Sequence, residues 1–189
     1  GCFRVVLIQP VKVLALCGSL RAVSWNAALL RTSARLAPTS MQIDVYPSLG
    51  HLPLFNPDLE SELPEAVQAL YTRVASADAL LIASPEYAHG VTGTMKNALD
   101  WLVSFSPFAG KLVVLLNASS RAYHADAALR ETLRTMAATL MEEACISLPV
   151  LGSGLTEEQM LTDPIIQAPL HTALQVLEAA IRQQHTERV

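Results

Sequence analysis

The chain has 189 residues, 51% of them hydrophobic, and a formal net charge of −4. This length can enclose one well-packed core but not two, so we expect a single domain. Its 13 Lys and Arg residues against 17 Asp and Glu residues are spread thinly, without a basic stripe. The composition therefore excludes a nucleic-acid partner and a polybasic membrane contact.

The cysteines and histidines indicate neither a disulfide framework nor a metal site. Cys2, Cys17 and Cys145 follow no CxxC or Cys/His spacing, and the five histidines show no ligand pattern. An odd, scattered set of cysteines is typical of a reducing compartment, so we expect a cytoplasmic protein. Residues 1–10 are too weakly apolar for a signal peptide, and we interpret them as a processed start or a cloning remnant before a domain at residues 11–186.

The first unit predicts a site for an anion. Residues 12–17 form a short apolar run that predicts a buried strand, and residues 26–37 have the apolar spacing of a helix. The turn between them contains the hydrogen-bond donors Ser19, Arg21, Ser24 and Asn26. Because the free N–H groups and the dipole of a helix start favour a negative group, this turn suits a phosphate monoester. The alternative is a well-capped helix with Arg21 in solvent.

Four further segments predict strands. Residues 41–46 alternate between apolar and polar, as expected for an edge strand. Residues 79–83 and 112–116 are apolar throughout and predict central strands that are covered on both faces. Residues 145–150 predict a fifth strand.

Helical spacing predicts one helix after each later strand. The first of these begins at Pro64, the second is capped by Thr94, the third is capped by Asp126 and continues to Met141, and the last starts at Pro169. Strands and helices that alternate in this way predict an α/β fold with a doubly wound parallel sheet. Ligands of such sheets bind at the carboxyl ends of the strands.

Polar residues follow two of the central strands at these carboxyl ends. After the third strand, residues 84–96 read SPEYAHGVTGTMK, in which Gly90 and Gly93 permit close backbone approach to a flat ligand. We expect Glu86 to be structural, whereas Tyr87 is either a stacking platform or ordinary packing. After the fourth strand, residues 117–124 read NASSRAYH. His89 and His124 follow these strands and could contact a second substrate, although the histidines are otherwise interpreted as surface residues.

Three segments together resemble the NADPH-dependent FMN reductase family of flavodoxin-like proteins, which includes chromate, quinone and azo-dye reductases. They are GSLRAVSWN after the first strand, LPLFNPDLE in the loop before Pro64, and SPEYAHGVTGTMKNALDW after the third strand. The resemblance implies the strand order 2-1-3-4-5, with a non-covalent FMN between the first and third strands. One departure is that residues 120–124 replace a stretch that is glycine-rich in many relatives, which puts the substrate range in doubt.

The resemblance also implies a role for each residue that matches the family's pattern. Ser19, Arg21, Ser24 and Asn26 would hold the FMN phosphate. Pro85, Glu86, Tyr87 and Gly90 would line the isoalloxazine ring, and Ser119 and Ser120 would close its other side.

The implied reaction passes hydride from NADPH to FMN and then electrons to a small acceptor such as a quinone, chromate, an azo dye or free flavin, in ping-pong order. No catalytic acid or base is expected, because the flavin carries the chemistry.

The same residues also bear on other functions. A cysteine phosphatase would use Cys17, but its phosphate loop needs five residues between Cys and Arg, and three lie between Cys17 and Arg21. We interpret Cys17 as a buried small apolar residue. An FMN-binding electron carrier and a flavin-free oligomeric scaffold of the same fold remain alternatives.

We further expect a homodimer or homotetramer with flavins near the subunit boundary. Trp101, Phe105 and Phe108 lie off the main apolar stripe of their helix region, which indicates a second partner for that surface. The apolar loop at residues 52–59 could reach across the boundary, and the resemblance implies pairing through these helices.

Overall fold

The computed structural model describes residues 8–189. One sheet is parallel throughout, and a separate two-stranded hairpin is antiparallel. The eight strands of the described chain are β1 (Val11–Cys17), β2 (Met41–Val45), β3 (Ala79–Ala83), β4 (Glu86–Tyr87), β5 (Gly90–Val91), β6 (Leu112–Asn117), β7 (Thr139–Leu140) and β8 (Ile146–Ser147). The six α-helices are α1 (Trp25–Leu36), α2 (Glu65–Ser76), α3 (Gly93–Leu102), α4 (Tyr123–Thr135), α5 (Glu157–Met160) and α6 (Pro164–Glu187).

The sheet has the predicted strand order. Strands run β2-β1-β3-β6, and both β7 and β8 pair with β6 at the edge. The flavodoxin-like order 2-1-3-4-5 is therefore confirmed, with two short strands in the place of the fifth. The predicted strand at residues 145–150 is shorter than expected, because only Ile146 and Ser147 pair with β6 in that segment.

The core lies in two layers, one on each face of the sheet. In β1, Val13 and Ala15 pack on the face covered by α1 and α6, whereas Leu14 and Leu16 pack on the opposite face under α2, α3 and α4. Every residue of β3 and β6 is buried, as predicted for central strands. Helices thus cover both faces of the sheet, and loops lie at the carboxyl ends of its strands.

Three helix starts differ from the sequence predictions. Thr92, not Thr94, caps α3, because its Oγ1 accepts the Met95 N–H at 3.2 Å. The helix α4 begins before Asp126, whose carboxylate instead pairs with Arg130 one turn later at 2.7 Å. The last helix begins at Pro164, capped by Asp163, so that Pro169 lies inside it.

The end of α4 was also predicted incorrectly, because the apolar spacing continues beyond the helix to Met141. The helix ends at Thr135, and Ala137 takes a left-handed conformation with φ of 63°. The Ala138 N–H then donates to the Leu133 carbonyl at 3.0 Å, which closes a Schellman-type turn without a glycine. Of the apolar residues after this turn, Ala138 precedes β7, Leu140 belongs to it and Met141 follows it.

The aromatic residues expected to face a second subunit are satisfied within the chain. Trp101 and Phe108 are fully buried, and the Trp101 indole N–H donates to the Pro53 carbonyl at 2.8 Å. Phe105 stacks on Tyr71 with ring centroids 4.0 Å apart. The inference of an unpartnered helix surface from these three residues is therefore wrong. Within residues 8–189, no helix is both long and apolar enough to cross a membrane.

Candidate functional site

The turn between β1 and α1 presents unpaired donors. Ser24 caps α1 by accepting the Ala27 N–H at 3.2 Å, and the Ser19 hydroxyl accepts the Arg21 N–H at 3.3 Å. Among residues 8–189, the backbone N–H groups of Trp25 and Asn26 have no hydrogen-bond partner. These groups point out of the first turn of the helix, where an anion is favoured by the helix dipole.

Gly18 joins this turn to the chain after β3. A Cβ atom at Gly18 would lie 2.0 Å from Ser84 Oγ and 3.1 Å from Ser84 Cα, so the close approach of these two segments requires glycine. The buried Thr92 hydroxyl donates to the Gly18 carbonyl at 2.7 Å while it caps α3. The carboxyl ends of β1 and β3 are thereby held in a fixed relation.

The hairpin β4–β5 forms a second wall. Its two loop residues, Ala88 and His89, have φ of 50° and 61°, which matches a type I′ turn although neither residue is glycine. The Glu86 carboxylate accepts the Ala125 N–H at 2.7 Å in the first turn of α4. The Glu86 side chain therefore joins the hairpin to α4, and its contact with a ligand stays a prediction.

The hairpin tip packs on the start of α4 through aromatic rings. The His89 and His124 rings stack with centroids 4.3 Å apart and an interplanar angle of 23°. The ring of Tyr123 lies 4.2 Å from that of His124, at a tilt of 36°. These contacts form a row of three rings between the hairpin tip and the first turn of α4.

The turn between β6 and α4 completes the arrangement. The Asn117 side-chain oxygen accepts the Ser119 N–H at 3.1 Å, and the Ser119 hydroxyl accepts the Arg121 N–H at 3.2 Å. The Asn117 amide also donates to the Ala122 carbonyl at 3.4 Å. Hydrogen bonds within the turn thus fix its backbone and leave the Arg121 side chain free.

These three segments enclose a cavity of about 280 Å³. Eight of the predicted site residues line it, namely Ser19, Arg21, Ser24, Asn26, Pro85, Glu86, Tyr87 and Ser119. Gly90 and Ser120 lie outside the lining. A Cβ atom at Gly90 would meet only the Tyr87 carbonyl oxygen, at an ordinary 3.6 Å, so no described protein segment requires glycine there. Contact of either residue with a ligand remains a prediction.

Six lining residues were not among the predicted site residues, namely Trp25, Asn117, Ala118, Arg121, Ala122 and Leu151, and three of them bear on the chemistry of the cavity. Arg121 and Asn117 line it from the β6 turn, and Leu151 lines it from the loop after β8. A sequence signal for the first two was present. The segment Asn-Ala-Ser-Ser-Arg starts at the last residue of β6, and the similar segment Cys-Gly-Ser-Leu-Arg starts at the last residue of β1. Leu151 had no such signal, since nothing local shows that its loop returns to this edge.

Cys17 is placed for packing. Burial raises the pKa of its thiol, and a weaker opposing effect comes from its hydrogen bond with the Ser19 backbone. It does not line the cavity between β1 and β3. The thiol is only partly buried, not fully as the sequence predicted, but its raised pKa makes it a poor nucleophile. Among residues 8–189, no three His, Cys, Asp or Glu side chains converge as metal ligands.

Comparisons with known proteins agree with this geometry. The sequence model of the family described as NADPH-dependent FMN reductase matches residues 11–150. An NAD(P)H-dependent FMN reductase of Pseudomonas aeruginosa is 31% identical over 180 residues, which cover 92% of this chain and 97% of that protein. A quinone reductase of Escherichia coli is 38% identical over 115 residues, which cover 59% of this chain and only 61% of that protein.

A solved structure has the same fold. The flavoenzyme NAD(P)H:(acceptor) oxidoreductase FerB from Paracoccus denitrificans superimposes with a TM-score of 0.74 at 27% identity, over 89% of this chain and 97% of that one. The family match covers most of the chain, and its residues include the turns after β1, β3 and β6 that form the cavity. The chain belongs to the NADPH-dependent FMN reductase family.

Proposed function

We propose that this chain is an NAD(P)H-dependent flavin oxidoreductase that binds FMN in the cavity and reduces a small acceptor. The observation that carries this proposal is the β1 turn, where Arg21, Trp25 and Asn26 line the cavity and the N–H groups of the last two are unpaired within residues 8–189. The family of the chain supports the cofactor, and the quinone reductase relative supports a quinone as acceptor.

The residues present fit the phosphate of FMN. Arg21 has no carboxylate partner within residues 8–189, and the start of α1 carries no acidic residue that would repel an anion. Asn26 is 8% exposed and its side-chain oxygen has no hydrogen-bond partner among the described residues. A phosphate offers only acceptor oxygens, so the Asn26 side-chain NH₂, and not this oxygen, would donate to it.

The remaining walls suit a flat ring. Pro85 and Tyr87 line the cavity from the β3 side, and the Tyr87 side chain is 50% exposed. Bound FMN would supply the two-electron chemistry, because a flavin ring can take hydride from a nicotinamide and pass electrons to an acceptor. The chain's own residues hold and orient the ligands, and Glu86 keeps its carboxylate engaged with the start of α4. A single cavity that receives both substrates in turn predicts ping-pong kinetics.

The acceptor range is a finer part of the proposal. Quinones are favoured, and chromate, azo dyes and free flavin are the further candidates. An FMN-binding electron carrier would keep the cofactor but lack NADPH oxidation, and a scaffold would bind no flavin. The scattered cysteines are typical of a reducing compartment, so the cytoplasm is the proposed location.

Flavin content and steady-state kinetics test this function. The purified protein should bind one FMN per chain and oxidise NADPH in the presence of a quinone, with parallel double-reciprocal lines when both substrates are varied. Chromate and an azo dye are tested in the same assay. Flavin binding without NADPH oxidation would identify a carrier, and the absence of flavin binding would contradict the proposal.

We also propose that the protein forms a homodimer or homotetramer. Leu54 in the loop after β2 is 83% exposed, and Val23 beside the cavity is 77% exposed. A second copy of the chain that covers these residues would bury apolar surface, and it would enclose one side of the flavin. Sedimentation at several concentrations measures the assembly, and activity per chain should fall on dissociation. A monomer with full activity at micromolar concentration would exclude this arrangement.

A further inference from the structure

The turns after β1 and β6 repeat one hydrogen-bond pattern. In each, the side chain of the last strand residue accepts the N–H two residues later: Cys17 Sγ accepts from Ser19 at 3.5 Å, and Asn117 Oδ1 accepts from Ser119 at 3.1 Å. In each, that serine hydroxyl then accepts the N–H of an arginine two residues further on, at 3.3 Å and 3.2 Å. The repeat places Arg21 and Arg121 at equivalent positions on the lining of one cavity.

These two arginines differ from most others in the described chain because their guanidinium groups are free. Ion pairs with Asp or Glu engage the side chains of Arg31, Arg35, Arg130, Arg134 and Arg182. Within residues 8–189, the side chains of Arg21 and Arg121 make neither an ion pair nor a hydrogen bond, and both are exposed to the cavity. A guanidinium left free on the wall of a cavity is available to bind an anionic ligand.

The start of α4 is a poor second anion site. The Tyr123 and His124 N–H groups have no partner within residues 8–189, but the Glu86 carboxylate accepts the Ala125 N–H and Asp126 lies in the same turn, so negative charge already complements the helix dipole. At the β6 turn, the Arg121 guanidinium is therefore the group that favours an anion. FMN carries one phosphate, for which the open start of α1 and Arg21 are sufficient, which leaves Arg121 for a different charge.

We propose that Arg121 is a specificity-determining residue that binds an anionic group of the second substrate. This inference rests on the proposed function, because it needs FMN at the β1 turn. The anionic group is either a phosphate of the nicotinamide dinucleotide or a sulfonate or carboxylate of the acceptor. Both are planar or tetrahedral oxyanions that a guanidinium binds through two N–H groups. Tyr87 and Leu151, which line the same cavity, provide apolar contact for the ring that carries the charge.

The test compares Arg121→Gln with Arg121→Lys and with the control Arg134→Gln. Arg134 is also exposed and lies on α4, but it is paired with Glu142 and does not line the cavity. FMN affinity of Arg121→Gln should remain within about twofold of the original protein, since Arg21 is intact. Binding of NADP⁺ and of anthraquinone-2-sulfonate to the FMN-loaded protein is then followed through the flavin spectrum.

The affinity of Arg121→Gln for at least one of these two anions should fall by roughly ten- to hundredfold. Arg121→Lys should recover part of this loss, and Arg134→Gln should bind both as the original protein does. Loss for NADP⁺ alone would identify the dinucleotide as the source of the charge. Loss for the sulfonate alone, with an unchanged KM for the uncharged quinone menadione, would identify the acceptor.

Unchanged affinity for both anions would overturn the inference while leaving the proposed function intact. A loss of FMN affinity as large as that of Arg21→Gln would also overturn it, because Arg121 would then belong to the FMN phosphate site. If the original protein binds no FMN, the proposed function itself fails, and the assignment of Arg121 fails with it.

Discussion

The turns after β1 and β6 have the same internal hydrogen bonds, but the helices that follow them begin differently. At the start of α1, Trp25 and Asn26 keep unpaired N–H groups, and no acidic residue lies in the first turn. At the start of α4, the Tyr123 and His124 N–H groups are also unpaired within residues 8–189, but the Glu86 carboxylate accepts the third N–H, from Ala125 at 2.7 Å, where the Ser24 hydroxyl caps α1. The same turn can therefore lead into an open helix start without negative charge or into a closed one, depending on whether another strand supplies a carboxylate.

The largest expected effect comes from breaking the link between the β1 turn and β3. In Gly18→Ala the new methyl group overlaps Ser84, so the segments must separate. We expect destabilisation of roughly 2 to 3 kcal/mol, together with loss of FMN binding. Urea unfolding of the flavin-free protein and FMN titration measure the two effects.

Two variants make this prediction specific. Gly93→Ala is the control, because nothing lies within 4 Å of a Cβ atom there, and it should fold and bind normally. Ser84→Gly in the Gly18→Ala background removes the two shortest contacts and should restore part of the stability. A Gly18→Ala protein as stable as the original would show that the two segments are not held in close contact.

The next effect concerns the open anion site. Arg21→Ala should weaken FMN binding by roughly ten- to hundredfold, because a charge-assisted hydrogen bond to an anion contributes about 1.5 to 3 kcal/mol. Riboflavin lacks the phosphate and should bind the variant and the original protein equally poorly. Arg35→Ala, which removes an exposed arginine of α1 that is paired with Glu158 of α5, is the matched control. Equal loss of FMN and riboflavin affinity would contradict the phosphate assignment.

A smaller effect on stability is expected at the closed start of α4, where Glu86 supplies the carboxylate. Glu86→Gln keeps an oxygen that can accept the Ala125 N–H but removes the charge that complements α4, so stability should fall by about 0.3 to 1 kcal/mol. Salt should reduce the difference, because it screens this interaction. Glu143→Gln is the control, since Glu143 is exposed and makes no ion pair within residues 8–189. Urea unfolding at low and high ionic strength is the measurement, and a difference that does not respond to salt would argue against the dipole.

The sequence predicted those parts of the molecule that depend on local pattern. The uninterrupted apolar runs of β3 and β6 predicted the central strands, and the donors of the β1 turn predicted residues that line one cavity. Gly18 was not singled out, because the need for glycine arises from Ser84, 66 positions away in the chain but adjacent in space. Likewise, the Glu86 contact with α4 joins residues 39 positions apart. Such pairings form only when the sheet has brought the loops together.

The end of α4 was predicted incorrectly for a related reason. The apolar spacing that runs through Leu133 to Met141 satisfies a helix, but Ala137 turns the chain without the glycine that usually marks such a position. The alternative to the helix is β7, whose pairing with β6 removes these residues from the helix. Tertiary pairing therefore overrides the local pattern where the two disagree.

The smallest expected effect concerns the first residue of each repeated turn, where Cys17 corresponds to Asn117. Burial raises the pKa of the Cys17 thiol above its ordinary value of 9.0. The folded protein thus keeps the thiol protonated to a higher pH than the unfolded chain does. The resulting stabilisation is complete below pH 9.0 and is lost as the pH rises through the raised pKa. Asn117 carries no such proton, so the β6 turn contributes no corresponding pH dependence.

Cys17→Ser keeps an acceptor for the Ser19 N–H but removes this titration. At neutral pH its free energy of unfolding should change by about 1 kcal/mol or less, with FMN affinity within about twofold. Above pH 9.0 its stability should fall less steeply than that of the original protein. Cys145→Ser is the comparison, because burial also raises the pKa of Cys145 although it lies away from the turn. Urea unfolding from pH 7 to pH 11 measures both slopes, and identical slopes for Cys17→Ser and the original protein would show that the Cys17 proton is not linked to folding.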